Sequence, residues 1–127
     1  MSEETVASRI TREIASWPGV TVAPHRFGGV EFRVGKRELG HLHETWADLP
    51  FTSRIREMLV QTGRAEPHKF GVNGWVSREF DHEVIELFRL SYERARVAQN
   101  VRRSRDQLGE ARRADVPSGD DDADPVA

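Results

Sequence analysis

Residues 30–43 constrain the fold of this chain more than any other stretch, because Gly35-Lys36 separates two runs of strand-forming residues. Glycine followed by another residue suits the two central positions of a type II′ turn, so a β-hairpin is predicted. The turn also sets a register, with Val34 opposite Arg37, Arg33 opposite Glu38, Phe32 opposite Leu39 and Val30 opposite His41. Paired residues share a face and successive residues alternate. Val30, Phe32, Val34 and Leu39 should therefore form an apolar face, and Arg33 with Glu38 a cross-strand ion pair on the polar one. His41 and His43 fall on the apolar side, at the end of the hairpin away from its turn.

The elements around the hairpin follow from periodicity. Val6, Ile10, Ile14 and Trp17 recur at helical spacing, which predicts a first helix with Ser2 as its N-cap and Pro18-Gly19 as its stop. A loosely alternating run from Val20 to His25 predicts a strand, ended by the turn residues Gly28-Gly29. Asp48-Leu49-Pro50 reads as the entry to a helix over about 50–62, with Phe51, Ile55, Met58, Leu59 and Thr62 buried and Gly63 at C′. A loop through Pro67, His68 and Asn73-Gly74 leads to a short strand from Trp75 to Phe80. Asp81 then caps a last helix whose apolar face carries Val84, Ile85, Phe88, Tyr92 and Ala95. The order α-β-β-β-α-β-α predicts an α+β fold, a small antiparallel sheet covered by helices on one face.

A chain of 127 residues has the size of one domain. Its apolar residues are concentrated before about residue 98, so a domain over 1–98 and a polar tail over 99–127 are expected. The tail is first Arg-rich and then Asp-rich; helix is expected to persist to about Ala114 and disorder to follow from Val116. With no cysteine, disulfides, thiolate metal ligands and thiol nucleophiles are excluded. The formal charge of −2 supplies no global cationic field, which disfavours nucleic acid as a partner. No stretch approaches the ~18 apolar residues of a membrane span, and Met1-Ser2-Glu3-Glu4 opens polar and acidic, so a cytoplasmic protein with no membrane contact is expected.

Five short runs in a fixed order carry a resemblance. They are Lys36-Arg37-Glu38-Leu39-Gly40-His41-Leu42-His43, Asp48-Leu49-Pro50-Phe51, Gly63-Arg64-Ala65-Glu66-Pro67-His68, Gly74-Trp75-Val76-Ser77 and Ser91-Tyr92-Glu93-Arg94-Ala95. Together they resemble the luciferase-domain family, in its small prokaryotic members and more distantly in fungal luciferase, over about residues 18–97. The fungal enzyme adds O₂ to a hydroxylated pyrone with no organic cofactor or metal known to be required. The resemblance thus implies a small-molecule ligand and a cofactor-independent oxygenase of an aromatic or enolic compound. By position it makes His41, His43 and His68 the catalytic candidates.

The residues themselves leave three uses open for these histidines. His41 and His43, at i and i+2 of one strand, point the same way about 7 Å apart and can address one ligand. An imidazole can deprotonate an enol or phenol and hold its anion beside O₂, with His68 closing the site and Trp46 or Trp75 as an aromatic wall. The same pair suits a metal if His68 or Glu44 completes the set. Structural histidines bonded to backbone or carboxylate are the third use. His25, beside a turn, and His82, in the first turn of a helix, are weaker candidates. Glu31, Glu38 and Glu44 form no evident acid-base pair in the predicted register. No phosphate loop or serine elbow is present. A function of a different class is a non-catalytic protein-interaction module, in which the Arg-rich segment from Arg94 to Arg113 meets an acidic partner or, less favoured, nucleic acid.

Overall fold

A computed structural model describes residues 4–25, 28–68 and 73–115, with side chains described through residue 109. The chain divides into two compact units, Met1–Arg96 and Val97–Ala127. The first holds helix α1 (Val6–Ala15), strands β1 (Val20–Pro24), β2 (Val30–Val34), β3 (Arg37–Leu42) and β4 (Trp46–Pro50), helix α2 (Ser53–Gln61), and strands β5 (Glu66–Pro67) and β6 (Trp75–Glu79). Helix α3 spans His82–Asp115. The expected α+β class stands: one antiparallel sheet in the order β1-β2-β3-β4-β6-β5, with helices packed on it.

Two strands had no counterpart in the expected order. Asp48-Leu49-Pro50 ends β4 instead of opening a helix. Proline at a strand end needs no ladder donor, and the next backbone N–H, that of Phe51, donates to the Gly74 carbonyl at 2.7 Å. The helix cap falls to Thr52, whose Oγ1 accepts from the Ile55 N–H at 3.2 Å. Strand β5 is only the residue pair Glu66–Pro67, too short to leave a periodic trace. At the N-terminus Thr5 caps α1, its Oγ1 accepting from the Ser8 N–H at 3.0 Å, and Ser2 lies outside the described residues. Gly63 takes the positive φ of 75° expected at C′. Met58, expected in the α2 stripe, is exposed, whereas Leu59 is fully buried.

One face of the sheet carries the core. Phe32, Leu42, Ala47, Leu49 and Val76 bury against Ile10 and Ile14 of α1, Leu59 of α2, and Val84, Leu87 and Phe88 of α3. The Phe32 and Phe88 rings meet edge to face with centroids 5.2 Å apart, and burying each such side chain stabilises by about 1.5–3 kcal/mol. Polar bonds anchor α3 to this layer: Ser91 Oγ donates to the Leu39 carbonyl at 2.9 Å and Tyr92 Oη to the Pro18 carbonyl at 2.8 Å. Asp81 caps α3 as expected, its Oδ1 accepting from the Glu83 N–H at 2.9 Å. In the second unit, Val97, Val101 and Leu108 are exposed. The helix reaches Asp115, and the expected disorder from Val116 concerns residues outside those described.

The predicted hairpin register holds at the turn and then fails. Gly35 has the φ of 60° that a type II′ turn requires at its first central position, and Val34 and Arg33 pair with Arg37 and Glu38. Between Arg33 and Phe32 the register shifts, so Phe32 faces Gly40, Glu31 faces His41 and Val30 faces Leu42. The extra residue in β3 is a β-bulge. Leu39 still reaches the core, but His41 and His43 pass to the opposite face. The expected Arg33–Glu38 ion pair is replaced: Arg33 Nε contacts Glu31 Oε2 at 2.5 Å, and Glu38 turns to His41.

Candidate functional site

The bulge explains how Glu38 and His41 come to share a face. Residues i and i+3 of a regular strand point to opposite sides, and the extra residue at Leu39-Gly40 restores the phase. Glycine is required there because a Cβ on Gly40, whose φ is 152°, would lie 2.8 Å from the Asp48 carbonyl oxygen and 2.9 Å from Phe88 Cε1. From this point simple alternation builds the site on the face away from the helices. His41 pairs with Asp48, Asp48 with Ser77, and Ser77 with Glu66, while Leu42, Ala47, Leu49 and Val76 occupy the buried side.

Asp48 is the centre of the arrangement. Its Oδ2 lies 2.9 Å from His43 Nε2, 3.3 Å from His41 Nε2 and 3.8 Å from His68 Nε2. Ser77 Oγ donates to the other oxygen, Oδ1, at 2.5 Å. His41 has a carboxylate at each ring nitrogen, since its Nδ1 is 2.8 Å from Glu38 Oε2. His41 is almost fully buried, at 8% exposure. Burial opposes its positive charge, but Asp48 and Glu38 outweigh that effect and push its pKa up to about 9. Burial likewise works against the Asp48 anion, and its bonds to His41 and Ser77 more than compensate, holding the carboxyl below its usual range. The His25 ring lies 4.0 Å from that of His41, and burial together with the neighbouring His41 charge lowers its pKa.

The three histidine candidates thus gather around one carboxylate, although on the face opposite to the one expected. His43 and His68 line a pocket of about 530 Å³ with Trp46, Asp48, Glu66, Pro67 and Ser77. Trp46, 37% exposed, supplies an indole to its wall. Trp75 flanks the histidines, with ring centroids 5.5 Å from His41 and 6.0 Å from His68. Glu44 is not among the pocket-lining residues described, and the place considered for it as a third ligand is taken by Asp48. Sequence reasoning missed Asp48, Glu38, Ser77 and the closeness of His25. The signal for Asp48 was the alternation of Trp46, Asp48 and Pro50 with the small and apolar Ala47 and Leu49, which marks a strand with one buried face.

Residues 36–91 match the model of the family described as Luciferase domain, which supports a luciferase-domain family assignment. The matched stretch contains the bulge, His41, His43, Asp48, His68, Trp75 and Ser77. Comparison with curated proteins and with solved structures returns no match. Among the described residues no helix is long and apolar enough to cross a membrane.

Proposed function

We propose that the Asp48 face binds a small planar molecule bearing an acidic enol or phenol hydroxyl, and that oxygenation of such a compound is its reaction. The observation that carries this reading is the pocket of about 530 Å³ in which two imidazoles and a carboxylate converge beside an indole. That volume suits a ligand of one or two rings. The Trp46 face and Pro67 offer apolar contact, and His43, His68 and Ser77 offer polar atoms. The histidines divide the work. His41, with its pKa at about 9, is already protonated at neutral pH, so it supplies positive charge and not a base. His43 and His68 reach the pocket and are the proton acceptors; the imidazolium formed when one of them takes the hydroxyl proton is the counter-charge for the resulting enolate or phenolate, while the charge of His41 is matched by Asp48 and Glu38. The luciferase-domain match supports an oxygen-dependent reaction of this kind.

The test pairs binding with turnover. Hydroxylated pyrones and phenols are titrated against the chelator-treated protein by tryptophan fluorescence, and oxygen consumption is followed with each compound that binds. Saturable binding that Trp46→Ala weakens, with turnover lost in His43→Ala, is the expected outcome. A folded protein that binds none of these compounds would defeat the reading.

A further inference from the structure

We infer that His41, His43 and Asp48 form a binding site for one divalent first-row transition-metal ion, with His68 as an adjacent fourth donor. This rests on the preceding reading only in that the same pocket is a ligand site; with an ion bound, His41 and His43 act as ligands in place of the charged and proton-accepting roles given them above. It does not depend on which organic compound enters.

The spacing of the donors is the first argument. Ligands bound at roughly 2.0–2.1 Å to one metal lie about 2.9 Å apart at adjacent octahedral positions and about 3.3 Å apart at tetrahedral ones. His43 Nε2 and His41 Nε2 stand 2.9 Å and 3.3 Å from Asp48 Oδ2, and the three donor atoms all lie within 4.8 Å of one another. A single carboxylate oxygen has two lone pairs. Hydrogen bonds from His43 and His41 can fill both, and His68 Nε2, at 3.8 Å, stands just beyond hydrogen-bond reach on the same side. A cation among them is attracted by all four groups.

The surroundings of the donors are the second, independent argument. A metal-bound histidine characteristically gives its other ring N–H to a carboxylate, which fixes the tautomer and leaves the ligating nitrogen free of a proton. His41 has this partner: Glu38 Oε2 is 2.8 Å from Nδ1, and the β-bulge at Leu39-Gly40 is what brings Glu38 round to it. The ligating carboxylate is oriented in the same manner, because Ser77 donates to Oδ1 and leaves Oδ2 facing the histidines. A metal would displace the proton on His41 Nε2 and keep the Nδ1–H bond to Glu38.

Donor chemistry narrows the ion. Two imidazoles and one carboxylate, with no thiolate in the chain, suit zinc or iron(II) better than calcium or magnesium. His43 and Asp48 line the pocket, so the remaining coordination positions face the space where the organic ligand would sit. The other trio of possible donors, His25, Glu38 and His41, shares His41, but none of its members is among the described residues lining the pocket.

The experiment uses Zn²⁺ alone, titrated calorimetrically into chelator-treated full-length protein, with Co²⁺ absorption as a second readout of histidine ligation. One ion per chain is expected. His43→Ala, at a half-exposed position that tolerates truncation, should weaken binding at least tenfold. Glu38→Gln, which touches no metal, should weaken it by about 10–100-fold through the tautomer of His41. His82→Ala, a surface histidine on α3, should leave it unchanged. Circular dichroism checks that each variant is folded. Absence of binding to the folded wild-type protein overturns the inference, as does wild-type affinity in both His43→Ala and Glu38→Gln. No organic ligand is present in this titration and no metal in the pyrone and phenol titration, so either proposal can fail while the other stands.

Discussion

Gly40→Ala tests whether the bulge in β3 is held by close packing. The added methyl would approach the Asp48 carbonyl oxygen to 2.8 Å, Phe88 Cε1 to 2.9 Å and Leu49 Cγ to 3.0 Å. The first of these is backbone, and Phe88 and Leu49 are fully buried, so no flexible side-chain end can yield. Overpacking of such a core costs about 1–3 kcal/mol. The φ of 152°, rarely adopted by residues with a Cβ, adds about 1 kcal/mol or more. A total of about 3 kcal/mol corresponds to a fall in Tm of roughly 10–20 °C for a unit of this size. Gly63→Ala is the control: its φ is also positive, at 75°, but nothing lies within 4 Å of its Cβ, so only the backbone penalty of about 1 kcal/mol applies. Thermal unfolding followed by circular dichroism reads both variants, and adding Phe88→Leu to Gly40→Ala should recover part of the loss. A Gly40→Ala protein that melts within about 3 °C of wild type, or no lower than Gly63→Ala, would refute the packing argument.

Two further outcomes follow from the bonds described. In chelator-treated protein the raised pKa of His41 makes its contribution to stability fully present below about pH 6.5 and progressively lost as pH rises toward about 9, by an amount on the order of 3 kcal/mol. Urea midpoints on either side of that window measure the loss, and NMR titration of the His41 ring gives its pKa directly; a value near 6.5 would contradict the paired-carboxylate geometry. Tyr92→Phe removes the 2.8 Å bond to the Pro18 carbonyl and should cost about 1 kcal/mol in urea unfolding, and an unchanged midpoint would show that the hydroxyl contributes nothing net.

How far the sequence could be read depended on the kind of signal. Helical spacing found α1 and α3, and Gly35-Lys36 found the hairpin turn, because these patterns are local and repeat over several residues. Strand β4 was lost because Asp48-Leu49-Pro50 also satisfies the opening of a helix. The choice is made by tertiary pairing, with Asp48 opposite Ser77 and Leu49 opposite Val76. The bulge is of the same nature. The groups that leave room only for glycine at position 40 include Asp48 and Phe88, the latter 48 positions along the chain, which no inspection of residues 30–43 can supply. One extra residue then carried His41 to the other side of the sheet and brought Glu38 with it. The histidines could be proposed from residue type and position; the carboxylate they surround was missed, because the alternation over residues 46–50 was overridden by the helix-entry reading of Asp48-Leu49-Pro50.

The alternation of β4 has a consequence for how rigid the site is. Asp48 is flanked by Ala47 and Leu49, both wholly buried on the helix side, so its backbone is immobilised by packing that has no part in the chemistry. Under the proposed function the carboxylate is preorganised: little conformational entropy would remain to be lost on ligand binding, and its reorganisation during a charge-transferring step would be small. Substitutions at Trp46 and Glu66, which line the pocket without the roles proposed for the histidines, are expected to change what it accepts while the strand that holds Asp48 stays in place. Selection for a new ligand is in this respect uncoupled from selection for folding.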